Sequence, residues 1–117
     1  MTDCGRTIIA GSRNFNSYPV MSFRIMRLGV RPSVVISGTA GGADRLGEKW
    51  AELHNVPVHL FPADWNEYGK KAGYIRNEEM ADNADTLIAF WDGKSRGTGH
   101  MIDIARRKGL TVHVEMV

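Results

Sequence analysis

Five short runs of β-branched and apolar residues alternate along this chain with stretches of helical periodicity, and that alternation limits the fold more than any other feature. The runs are Arg6–Ala10, Ser33–Ser37, Pro57–Phe61, Thr86–Trp91 and Leu110–Glu115, punctuated by glycine, serine and aspartate. Between them, helices are predicted near 18–29, 43–54, 73–83 and 98–108. Strand–helix–strand alternation favours a parallel sheet covered by helices on both faces. With right-handed crossovers this is an α/β, three-layer Rossmann-like domain, a five-stranded parallel sheet of order 3-2-1-4-5. At 117 residues, 43% hydrophobic and 24% charged, the chain is expected to form one domain spanning 1–117 around one core. Its single cysteine, Cys4, excludes an internal disulfide. Neither a signal-like start nor an apolar run of membrane-spanning length is present, so the expectation is a cytoplasmic protein with no membrane partner.

Open parallel sheets bind ligands beyond the carboxyl ends of their strands. One such end carries "VVISGTAGGADRLGEKW", Val34–Trp50, where Gly38, Gly41 and Gly42 allow close backbone approach and the helix opening after Ala43 offers N–H groups to an anion. The plainer reading is a tight strand-to-helix turn. The spacing Gly38-x-x-Gly41-Gly42 is not the dinucleotide fingerprint G-x-G-x-x-G. "GKS" at Gly93–Ser95 lacks the P-loop glycine five residues earlier, where Ile88 stands. An ordinary NAD site and ATP hydrolysis are therefore excluded.

Three further stretches reach the same rim: "AGSRNF" (Ala10–Phe15), "GKKAGYIRNEEM" (Gly69–Met80) and "DGKSRGTGHMID" (Asp92–Asp103). They bring basic residues together: Arg13, Lys70, Lys71, Arg76, Lys94 and Arg96. The net charge is only +2, so this clustering says more than the total, and it points to an anionic ligand. Gly97, Thr98 and their helix N-terminus suit a phosphate, with Arg76 adding a charge-assisted contact. Gly11, Ser12, Arg13, Asp44, Asn77, Ser95 and Arg96 complete the candidate binding set. Trp65, Tyr68 and Tyr74 are candidates for stacking on a base, the alternative being packing of their own segment on the core. His54, His59, His100 and His113 lack metal-ligand spacing, so neither metal nor cofactor is expected. No basic helix presents base-reading side chains, which argues against nucleic acid as the partner.

In order and spacing, "GSRNF", "VISGTAGGAD", "FPADW", "GKKAGYIRNEEM", "ADTLIAFWDG" and "SRGT" resemble the SLOG superfamily of Rossmann-like nucleotide-ligand proteins, in its small YspA-like bacterial and phage branch. The resemblance covers nearly the whole chain. It implies a nucleotide or nucleotide-derived ligand, and a more distant similarity to LOG-type phosphoribohydrolases, which release a base from a nucleoside monophosphate. Gly11 and Ser12 match the first LOG element, Arg76 and Met80 the second, and Gly97 and Thr98 the third. Asn77 replaces the lysine of the LOG pattern, as in the YspA-like branch.

Where LOG proteins carry a catalytic glutamate, three residues after Thr98, this chain has Met101. A thioether can neither accept a proton usefully nor stabilise an oxocarbenium ion. Asp103 is about 200° away around the helix and one turn from Arg106 and Arg107, an ordinary solvated pairing. The candidates for a displaced acid are Glu78, Glu79, Asp44 and His100, each with a simpler structural role available to it. The leading expectation is a sensor or sequestering protein that binds its ligand intact. The alternative is an N-glycosidic hydrolase or transferase, and a nucleic-acid accessory role ranks last. In "YPVMSFRIMRLG", Met21, Ile25 and Leu28 form a core-facing stripe while Val20, Phe23 and Met26 point elsewhere. LOG-type relatives are commonly dimers, so a homodimer or higher homo-oligomer is expected, with this helix or the one over 98–108 at the contact.

Overall fold

A computed structural model describes residues 2–117. The chain runs β1 (Thr2–Gly11), α1 (Tyr18–Leu28), β2 (Val30–Ser37), α2 (Ala43–Leu53), β3 (Val58–Leu60), the single turn α3 (Trp65–Tyr68), a 3-10 turn (Gly69–Lys71), α4 (Ala72–Asp82), β4 (Thr86–Trp91), α5 (Arg96–Arg107) and β5 (Thr111–Met116). All four strand pairings are parallel, in the order β3-β2-β1-β4-β5. This is the expected α/β Rossmann-like arrangement, with its switch point between β1 and β4.

The two-residue period of the strands divides the core between the faces of the sheet. Ile8, Ala10, Ile36, Leu87 and Ala89 point to one face and meet Met80 and Ala81 of α4 and Met101, Ile102, Ile104 and Ala105 of α5. Ile9, Val35, Ile88 and Phe90 point to the other, against Met21 and Ile25 of α1 and Ala43, Trp50 and Ala51 of α2. The central strands are buried on both sides and read as continuous apolar runs.

The sheet departs from expectation at its edges. β1 begins at Thr2, since Thr2 and Asp3 pair with Val30 and Arg31 before a register shift at Gly5. The polar sequence "TDCG" carries no strand periodicity to signal this. "PVHLF" yields only three strand residues, all exposed. β3 is an edge strand, so its apolar character does not report burial. No helix is long and apolar enough to cross a membrane among the described residues. On α1, Val20, Phe23 and Met26 are 37%, 53% and 61% exposed, leaving the second apolar face of that helix uncovered in the single chain.

Candidate functional site

A cleft of ≈ 220 Å³ opens at the carboxyl ends of β1, β2 and β4. Gly11 and Arg13 line it after β1, Ala40 and Asp44 after β2, and Trp65, Lys70 and Tyr74 before or within α4. Arg76, Asn77, Ser95, Gly97, Thr98 and Met101 close it from α4 and α5.

Arg76 is the fixed cation of this cleft. Its Nη1 donates to the carbonyl of Gly38, and its Nε donates to Asn77 Oδ1 at 3.1 Å. Nη2 has no hydrogen-bond partner among the described residues, so the guanidinium keeps donors for a ligand. Burial lowers its pKa, partly offset by the charge of Asp44, yet an arginine starting from such a high value stays cationic. Gly38 cannot carry a side chain here without disturbance: a Cβ would lie 2.8 Å from Arg76 Nη1 and 2.9 Å from Asp44 Oδ2.

Asn77 is buried and acts as a strut between helices. Its Nδ2 lies 3.2 Å from the carbonyl of Gly97 and 3.2 Å from His100 Nδ1. With His100 Nδ1 accepting, that imidazole is neutral, and burial holds its pKa below the ordinary histidine value.

The start of α5 faces the guanidinium. Asp92 Oδ1 accepts from the backbone N–H groups of Lys94 and Ser95, both at 2.8 Å, which folds the turn after β4 and holds the Asp92 carboxyl below its usual pKa. Trp91 Nε1 donates to the carbonyl of Ser95 at 3.0 Å. Ser95 Oγ lies 3.2 Å from Thr98 Oγ1 and does not cap the helix. The N–H groups of Arg96, Gly97 and Thr98 therefore keep no protein acceptor among the described residues, which suits an anion.

Asp44, in the first turn of α2, is the acidic side chain of the cleft wall. It is only 5% exposed. Its Oδ2 accepts from the N–H of Ala40 at 3.1 Å, while Oδ1 has no partner among the described residues. Burial raises its pKa to about 6, against the lowering effects of the Ala40 hydrogen bond and of Arg76. The loop before it is strained. Thr39, a β-branched residue, sits at φ = 63°, where such residues are outliers. Its N–H donates to Ser37 Oγ at 3.1 Å, and Ser37 Oγ donates in turn to Glu48 Oε2 at 2.6 Å.

Several candidate residues shape the cleft without lining it. Ser12 is buried, with Oγ accepting from the N–H of Asp92 at 3.2 Å, and it ties the β1 loop to the β4 loop. Gly42 lies at φ = 69°, ψ = −124° against the carbonyls of Ser12 and Arg13, so its role is in the turn. Gly41 and Arg96 are exposed and outside the cleft lining. Tyr68 also lies outside it, whereas Trp65 and Tyr74 line it while 53% and 46% exposed. Glu78 and Glu79 are exposed away from it, and His100 packs edge-on against Tyr74 behind it. Of the four displaced-acid candidates, Asp44 alone reaches the cleft. Asp103 pairs with Arg107 at 3.1 Å on the surface. Sequence reasoning missed Asp92 as the organiser of its turn, although an aspartate before Gly-Lys-Ser is a recognisable turn signal.

Residues 6–68 match the YAcAr family, described as the YspA, cpYpsA-related SLOG family. The chain is 44% identical over 85 residues to the Gene 61 protein of Mycobacterium phage D29, covering 68% of each. Among solved structures it resembles a predicted subunit of tRNA methyltransferase from Methanocaldococcus jannaschii, at a TM-score of 0.49 and 14% identity, over 97% of this chain and 67% of that one. The family match spans more than half of the chain and the phage protein is similar over two thirds of it: this chain belongs to the YspA, cpYpsA-related SLOG family.

Proposed function

We propose that this protein binds a phosphate-bearing nucleotide, or a small molecule derived from one, in the cleft at the carboxyl ends of β1 and β4, and holds it without turnover as a sensor or sequestering agent. The observation that carries this reading is Arg76: pinned by Gly38 and Asn77, it keeps free donors opposite the uncapped start of α5. Arg13 and Lys70 add positive charge at the rim, and Trp65 and Tyr74 offer faces to a base. Family membership supports a nucleotide-related ligand, and Met101 in the cleft wall supports retention without cleavage. The test is calorimetric titration of a nucleotide panel into wild type and Arg76→Ala. Loss of a charged hydrogen bond is expected to weaken binding by about one to two decades. Unchanged affinity in Arg76→Ala would sink the reading.

A second reading, N-glycosidic hydrolysis or transfer, is favoured by one feature, the buried carboxyl of Asp44 in the same wall with its pKa raised to about 6. Free base released at enzymatic rates, and abolished in Asp44→Asn, would promote it.

The proposal includes a homodimer assembled through the exposed Val20, Phe23 and Met26 face of α1. Light scattering at micromolar concentration should give twice the chain mass, and Phe23→Glu should return it to the monomer.

A further inference from the structure

We propose that Asp44 and Arg76 are two poles of one site, and that Asp44 selects ligands whose phosphate is carried on a ribose with both vicinal hydroxyls free. This rests on the phosphate reading above and adds a specificity residue to it. Asp44 is buried and lines the cleft, with Oδ1 unpartnered among the described residues. Oδ2 accepts from the Ala40 N–H and Oδ1 opens to the cleft, so a ligand that fills the cleft strips water from Oδ1 and must supply a donor in its place.

The nearest cation does not supply it. Arg76 Nη1 and Asp44 Oδ2 both crowd the place where a Gly38 Cβ would be, at 2.8 Å and 2.9 Å. Arg76 Nη1 is committed to the Gly38 carbonyl, and no ion pair joins the two side chains among the described residues. The two groups thus stand side by side without pairing, and both line the cleft.

A carboxylate only accepts. The ligand group opposite Asp44 must therefore donate, and a cationic group is disfavoured by Arg13, Lys70 and Arg76 in the same wall. Neutral donors remain, and the hydroxyls of a sugar are the ones that lie nearest to its phosphate. With the phosphate at Arg76 and the start of α5, the same molecule must present hydroxyls beside it. A vicinal diol offers two donors to Asp44, and a 2-deoxy sugar offers one fewer.

The experiment is calorimetric titration, above neutral pH, of inorganic phosphate, ribose 5-phosphate and 2-deoxyribose 5-phosphate into wild type, Asp44→Asn and Arg76→Ala, with thermal melts confirming that each variant is folded. Wild type should bind the ribose ester about ten- to a hundredfold more tightly than the deoxyribose ester. Asp44→Asn should shrink that ratio to within about threefold, while inorganic phosphate binds it as tightly as wild type or more so, a nearby negative charge having been removed. Equal affinity of wild type for the two esters, with both lost in Arg76→Ala, would overturn this inference and leave the phosphate site standing. Failure of all three compounds to bind wild type would overturn both.

Discussion

Asn77 holds its own neighbour: its Oδ1 receives the Nε–H of Arg76 at 3.1 Å while its Nδ2 reaches the carbonyl of Gly97 at 3.2 Å. The cation of α4 and the start of α5 are therefore set relative to each other by one buried amide. Asn77→Ala removes both contacts and leaves the Arg76 charge in place. Phosphate affinity should fall by about tenfold, and stability by about 1–3 kcal/mol from the loss of buried hydrogen bonds. Titration and chemical denaturation of the same preparation measure the two effects. Unchanged affinity would mean that Arg76 is positioned without the strut.

Gly38→Ala is the complementary test, since it adds a methyl group and removes nothing. The new carbon would crowd the ends of two side chains, Arg76 and Asp44, so the fold should survive and the site should not. We expect a melting temperature within a few degrees of wild type, as for substitutions that leave the core intact, and about a tenfold or greater loss of phosphate-ligand affinity. A variant that binds normally would show that the cleft tolerates rearrangement at its centre.

The carboxyl of Asp44 gives stability a defined pH dependence. Burial raises its pKa from the ordinary 3.8 of an aspartate to about 6 in the fold, so between these values the folded state holds a proton that the unfolded chain releases. Stability from this group is complete below about pH 4 and is lost as the pH rises through about 6. Asp44→Asn should therefore melt higher than wild type at about pH 8, by the equivalent of roughly 2–3 kcal/mol, each tenfold change in proton affinity being worth about 1.4 kcal/mol. The two proteins should converge at about pH 4. The difference in denaturation midpoint across that range is the measurement. A wild type more stable than the variant at the alkaline end would refute the sign.

Thr39 supplies a prediction in the opposite direction. A β-branched residue at φ = 63° is strained, and asparagine visits that region more readily. Thr39→Asn should raise stability by about 0.5–1 kcal/mol in equilibrium denaturation. A lower midpoint would show that the threonine side chain contributes more than its backbone strain removes.

Most of the sheet was legible because its signals are local. The buried central strands write their two-sided burial directly as "TIIA", "VVIS" and "LIAF", and the order 3-2-1-4-5 follows from handed crossovers. The run 57–61 located β3 correctly but overstated its length, since only Val58–Leu60 pair at this edge. At the site, glycines and basic residues were visible as types, but which of them face the cleft depends on contacts between distant segments. The hydroxyl of Ser12 also accepts from the N–H of Asp92, a tie between two loops that the sequence does not display. Asn77 lines the cleft as a polar residue of the predicted kind, but the link its amide makes to Gly97 of α5 is a contact between segments that no local pattern shows. Asp44 stood out from Glu78, Glu79 and His100 only through its burial in the cleft wall, which no local pattern encodes.

The placement of β1 at the centre of the sheet makes the cleft depend on contacts between segments far apart in the chain. Ser12 finds its partner Asp92 only 80 residues further along the chain, and β1 gains its second neighbour only when Thr86–Trp91 arrives. Such long-range closures are slow steps of folding. A ligand bound as proposed would touch both sides of the seam between β1 and β4, since Arg13 and Asp44 line the cleft from one side and Gly97 and Thr98 from the other. Under the proposed binding, occupancy would therefore raise the free energy of opening this seam by the amount that binding supplies.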